Sequence, residues 1–152
     1  MRVGSFLCYI DCDEVEKETR EIYQGHHREK REKGVRLMLF IEYPPCSTCQ
    51  KAKKWLDETG IAHTDRHIKE NNPTYEELKA WYERSGLPLK KFFNTSGLVY
   101  KSLGLKDKLP TMTEEEQLRL LATDGMLVKR PLVIGDDFVL TGFREKEWAE
   151  KF

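Results

Sequence analysis

The sequence predicts an α/β domain in the order strand–helix–strand, then several helices, then hairpin–helix. Three observations carry this. Short apolar runs at 37–42, 132–134 and 138–140, with a weaker one at 61–68, are too brief for helices and are punctuated by Pro, Gly or Asp. The longer segments between them repeat apolar residues at three- and four-residue spacing. Two of those segments open with capping boxes, Thr74-Tyr75-Glu76-Glu77 and Thr113-Glu114-Glu115-Glu116.

In chain order, the strand at 37–42 stops at Pro44-Pro45. A helix follows over 47–59, with Ala52, Trp55 and Leu56 on one face and Gly60 as its stop. After the strand at 61–68, the first capping box starts a helix through Leu78, Trp81 and Tyr82 to Gly86. Apolar-periodic pieces at 87–93 and 98–103 flank the turn Asn94-Thr95-Ser96-Gly97. The second capping box starts a helix with Leu118, Leu121 and Ala122 inward and Gly125 after it. Gly135-Asp136-Asp137 reads as the turn of an antiparallel hairpin. An amphipathic helix over 145–152 carries Trp148.

The domain is expected over 37–152. Residues 1–36 differ in texture: within 15–34, Val15, Ile22 and Tyr23 are the sizeable apolar groups in a charged stretch that cannot bury a core. This is expected to be a solvated or disordered extension, or no part of the mature protein, with Met38 as a start preceded by a purine-rich coding stretch. Lys+Arg and Asp+Glu balance at 26 each, so no global field draws the chain to nucleic acid or an anionic membrane. No apolar run is long enough to span a bilayer, and the N-terminus does not read as a secretory signal. Four cysteines without an export signal point to a reducing compartment, the cytoplasm.

Chemistry is concentrated in Cys46-Ser47-Thr48-Cys49, at a helix start. Unpaired N–H groups there stabilise a thiolate, and thiol pKa values in such settings fall to roughly 3.5–7.5. Lys51, Lys53 and Arg130 are expected to add to this. A reversible disulfide between Cys46 and Cys49, with the dithiol as the resting form, follows. One alternative is a pair of inert buried thiols. Another is zinc, because Cys46-x2-Cys49-x13-His63-x3-His67 has finger-like spacing. In an extended segment, however, histidines four residues apart stand about 13 Å from each other, too far to share one ion. Cys8-x3-Cys12 could complete an all-cysteine site instead. No metal site is expected.

The strand, the Tyr43-Pro44-Pro45-Cys46-Ser47-Thr48-Cys49 motif, the following Lys51-Ala52-Lys53-Lys54-Trp55-Leu56 and the distant Lys129-Arg130-Pro131-Leu132-Val133 together resemble the ArsC/Spx/MgsR family. Lys90-Lys91-Phe92-Phe93-Asn94-Thr95-Ser96-Gly97 and Asp124-Gly125-Met126-Leu127 are similar to an ArsC-related branch of it. The resemblance implies a thioredoxin-like fold with a helical insertion and makes Pro131 a cis-proline facing the redox motif. It implies a nucleophilic role for Cys46, a thiolate- and oxyanion-binding role for Arg130, and a second oxyanion arginine at Arg144. Asn94 stands where arsenate reductases carry a third arginine, and Cys49 stands where they lack a cysteine. Two functions are thus implied. One is a thiol–disulfide oxidoreductase served by an external thiol reductant such as glutathione or thioredoxin, with no cofactor of its own. The other is a redox-switched regulator binding the RNA polymerase α subunit rather than DNA; where Spx-type regulators carry a glycine in that surface, this sequence has Pro88.

Overall fold

Alternation along the first strand decides how the layers are built. In β1 (Met38–Glu42), Met38 and Phe40 enter one apolar cluster while Leu39 and Ile41 enter the other, as the two-residue period of a strand requires. β1 pairs in parallel with β2 (His63–His67), with Phe40 opposite Asp65, and antiparallel with β3 (Leu132–Ile134), with Phe40 opposite Val133. β4 (Val139–Thr141) closes the hairpin with β3. In this computed structural model, which describes residues 38–152, the sheet runs β2-β1-β3-β4. The expectations for residues 1–36, Cys8 and Cys12 and the alternative start lie outside the described residues.

β2 is an edge strand, and its sequence suits one: His63-Thr64-Asp65-Arg66-His67 contributes polar groups rather than core. Arg66 pairs with Glu77 at 2.8 Å and also donates to the carbonyls of Asn71 and Asn72, tying the strand to the next helix.

Helices cover both faces. On one, α1 (Ser47–Glu58) buries Ala52 and Leu56 against Met38, Phe40 and Val133. Trp148 of α6 (Glu145–Ala149) completes this cluster, its indole N–H donating to the Gly142 carbonyl at 3.2 Å. On the other face lie α2 (Tyr75–Ser85) and α5 (Glu114–Thr123), which bring Leu78, Trp81, Leu118 and Leu121 onto Ile41, Leu132 and Ile134. Both helices have complete capping boxes, from Thr74 with Glu77 and from Thr113 with Glu116. Gly86 ends α2 in the left-handed conformation, at φ 62°. This is the thioredoxin-like α/β fold, with the helices between β2 and β3 as its insertion.

Two details depart from the sequence-based expectations. The piece expected at 98–103 is α3 (Leu98–Ser102), and Gly104 separates it from an unanticipated turn of helix, α4 (Leu105–Lys108). The last strand starts at Val139 rather than 138, because Phe138 belongs to the turn. The Gly135 N–H donates to the Phe138 carbonyl at 2.9 Å, and the Phe138 ring lies where a Cβ on Gly135 would come within 2.5 Å of it. Gly125 follows α5 as expected, and its place there is set by packing. Asp124 ends α5 in extended conformation, and Gly125 begins the 3-10 turn Gly125–Leu127, packed so closely that a Cβ would meet the Ile68 carbonyl oxygen at 2.1 Å. No helix among the described residues is long and apolar enough to cross a membrane.

Candidate active site

Cys46 is the N-cap residue of α1, with extended backbone at φ −79° and ψ 118°. Its N–H donates to the Tyr43 carbonyl at 2.9 Å, and the Gln50 side chain closes the turn by donating to the Pro44 carbonyl at 2.9 Å. A neutral thiol makes no capping hydrogen bond here, which leaves the amides of Thr48 and Cys49, at the second and third helical positions, to act on a thiolate. Both cysteines are free thiols; Cys46 is half-buried and Cys49 fully buried.

The two thiols are electrostatically unequal. Partial burial opposes ionisation of Cys46, but the Cys49 amide and thiol, the Arg130 guanidinium and the Thr48 amide outweigh it and lower its pKa. Burial first, and then the neighbouring Cys46, push Cys49 up to about 12, against the Tyr43 backbone amide and the Arg130 charge. An accessible sulfur that ionises more readily than an ordinary thiol therefore lies beside an enclosed one held as its thiol.

The segment entering β3 supplies the cation. Arg130 precedes Pro131 through a cis peptide bond. Its Nη1 donates to Met126 Sδ at 3.4 Å, and its guanidinium lies 4.9 Å from the centre of the Tyr43 ring. Pro131 is buried. Lys53, expected to assist, is committed elsewhere: it bonds Asp65 and approaches Glu42 at 3.4 Å. His63 and His67 lie on β2 with their nitrogens largely engaged. His63 contacts the Ile61 carbonyl at 2.9 Å and Asp65 at 3.3 Å, while Nδ1 of His67 accepts from the Lys69 and Glu70 amides at 3.2 Å each.

Cys46 and Arg130 open onto a cavity of about 1060 Å³ that Asn94 and Arg144 also line. Four of the expected site residues therefore line one cavity, but not all are free to bind. Asn94 is buried and braces its loop, accepting from the Ser96 hydroxyl at 3.3 Å and donating to the Met126 carbonyl at 3.4 Å. Gly97 completes the brace, since a Cβ there would meet Asn94 Nδ2 at 2.7 Å. Arg144, exposed at the N-cap of α6, pairs with Glu147 at 2.6 Å. Sequence reasoning missed Arg84, which lines the cavity and donates to the Gly135 carbonyl at 2.9 Å, and Met126 as a neighbour of Arg130. No local pattern marks either residue.

The same architecture recurs in known proteins. An ArsC family related protein from Bacteroides fragilis superposes with a TM-score of 0.73 at 66% identity, over 74% of this chain and 95% of that one. The uncharacterized protein YusI of Bacillus subtilis (strain 168) is 56% identical over 115 residues, 76% of this chain and 98% of its own. The regulatory protein MgsR of the same organism is 30% identical over 110 residues, 72% of this chain and 86% of its own. The ArsC family model matches residues 41–151, and the chain belongs to the ArsC family.

Proposed function

We propose that the protein is a thiol–disulfide oxidoreductase that works through Cys46 and Cys49. The observation that carries this reading is the asymmetry of the pair: an accessible sulfur held toward its thiolate beside Arg130, and a buried sulfur held as its thiol. The Cys46 thiolate attacks one sulfur of a substrate disulfide, the S–S bond breaks, and the departing thiolate takes up a proton. Cys46 is then in a mixed disulfide and carries no charge. The part of the Cys49 shift that Cys46 causes is thereby removed, so Cys49 becomes easier to ionise when it must attack. Its attack on Cys46 releases the second substrate thiol, reduced by two electrons in all, and leaves the Cys46–Cys49 disulfide. An external thiol, glutathione or a thioredoxin, returns it to the dithiol, so the chain needs no cofactor of its own. Such a cycle suits the cytoplasm, where the reductants are abundant.

The test is trapping. Cys49→Ser should accumulate a mixed disulfide on Cys46 with a cellular thiol compound or protein, and should keep fast alkylation at neutral pH; Cys46→Ser should lose both. Equal, slow alkylation of the two thiols would rule the reading out.

The relation to MgsR, a regulatory protein, favours a second reading. Here the same disulfide switches a surface that binds the RNA polymerase α subunit. Stoichiometric, oxidation-dependent capture of that subunit without turnover would select it.

A further inference from the structure

Arg130 needs a reason to stay beside Cys46. A guanidinium on a long stem loses rotamer freedom when fixed, and a thiol and a thioether are weak partners with which to fix it. Among the described residues Arg130 makes no ion pair; it lines one cavity with Cys46, and its neighbours are Met126 Sδ at 3.4 Å and the face of Tyr43 at 4.9 Å. We propose that Tyr43 is the positioning residue of this site, its ring face holding the Arg130 guanidinium against the Cys46 sulfur. The inference rests on the reading of Cys46 as nucleophile and adds to it the group that sets its cation.

Tyr43 is itself well fixed. The residue before a proline is restricted to extended backbone, so Pro44 limits where the ring can point. The Tyr43 carbonyl accepts the Cys46 N–H at 2.9 Å, and its backbone amide acts on Cys49. Its ring meets that of His67 edge-on, with centroids 5.7 Å apart and planes at 85°. His67 is anchored in turn by the Lys69 and Glu70 amides. One residue therefore ties the cysteine turn, the edge strand and the cis-proline segment together. An aromatic face attracts a guanidinium without competing for its N–H groups, which remain available to the thiolate.

The experiment measures the alkylation rate of Cys46 against pH, with thiolate absorbance as a second readout, in the Cys49→Ser background. Tyr43→Leu should slow alkylation at neutral pH by about three- to tenfold and move the profile to higher pH, a change the size of one cation–π contact. Tyr43→Phe, which keeps the ring, should restore the parent profile. In Arg130→Ala, which is slowed by itself, Tyr43→Leu should add nothing. Equal slowing by Tyr43→Leu with and without Arg130 would show that Tyr43 acts through the loop, and no slowing would show that it does not act; either overturns the proposal. If Tyr43→Leu does not fold, pentafluorophenylalanine at position 43 keeps the shape and removes the negative face, and the same slowing is expected. An unchanged profile in Arg130→Ala would also defeat the proposal, while trapping of the mixed disulfide would still stand or fall separately as the test of the oxidoreductase.

Discussion

Cys46 and Cys49 belong to one turn of helix, yet their shifts have opposite signs, and the signs can be read in stability. The unfolded chain ionises both near 9.0, whereas folded Cys49 stays protonated to about 12. A raised folded pKa contributes stability that is complete below the unfolded value and is lost as pH rises through the folded one. Wild-type stability should therefore fall from pH 9.0 toward about 12 more steeply than that of Cys49→Ala, as measured by urea midpoints across the window. Parallel slopes would show that burial does not hold Cys49 neutral. Cys46 runs the other way: its contribution is complete above 9.0 and is lost as pH falls through its lowered value. The motif and the helix start were legible because they are local in sequence. Lys53 was misjudged although its spacing gave warning. Seven residues along a helix is about 10 Å of rise, which takes Lys53 away from the N-terminus and toward Asp65 and Glu42. Arg130 could be placed only through the family resemblance, and its contacts with Tyr43 and Met126 were not visible at all.

At the level of elements, the glycine that follows α5 connects packing to the site. Gly125 lies against the Ile68 carbonyl, and the turn it opens, Gly125–Leu127, carries Met126. The same turn receives the Asn94 amide N–H on the Leu127 carbonyl at 2.7 Å. Gly125→Ala drives a methyl into backbone that cannot yield as a side chain would. It should destabilise the fold by about 1–3 kcal/mol in urea unfolding. Because the displaced turn touches both Arg130 and the Asn94 loop, Cys46 alkylation should slow as well. Thr113→Ala, which removes a cap from α5, should cost about 1 kcal/mol and leave the alkylation rate unchanged. If both variants left Cys46 untouched, the turn would be packing alone. Capping boxes were readable because four consecutive residues specify them. The role of Gly125 was not, since the atom it avoids lies on Ile68, remote in the chain, and α4 was missed because four residues show no period.

The whole molecule brings together what the sequence keeps apart. Arg84 from α2, Lys129 and Arg130 before β3, and Arg144 at α6 reach one cavity with Cys46. Seven Lys or Arg side chains line it against three carboxylates, Asp137, Glu147 and Glu150. Across the full chain acidic and basic residues cancel, 26 against 26, so the excess is local and composition could not disclose it. A cavity with an excess of one sign of charge raises the concentration of opposite charge at its mouth, and salt screens the effect over a Debye length of about 10 Å at ~0.1 M. Cys46 should therefore react with the dianionic disulfide dithiobis(nitrobenzoate) at a rate that falls steeply as salt rises. Its reaction with neutral dipyridyl disulfide should change little, and comparing the two salt slopes cancels their different intrinsic reactivities. Lys90→Gln with Lys91→Gln, two lining positions outside the Cys46–Arg130 contact, should flatten the first slope and leave the second. The effect is expected to be about twofold or more in the low-salt rate, below the roughly tenfold lower end of full electrostatic steering because five of the seven cations remain. Equal slopes for the two disulfides would mean that the charges lining the cavity are balanced by their own partners, as Arg144 is by Glu147, and that the site does not select anionic substrates.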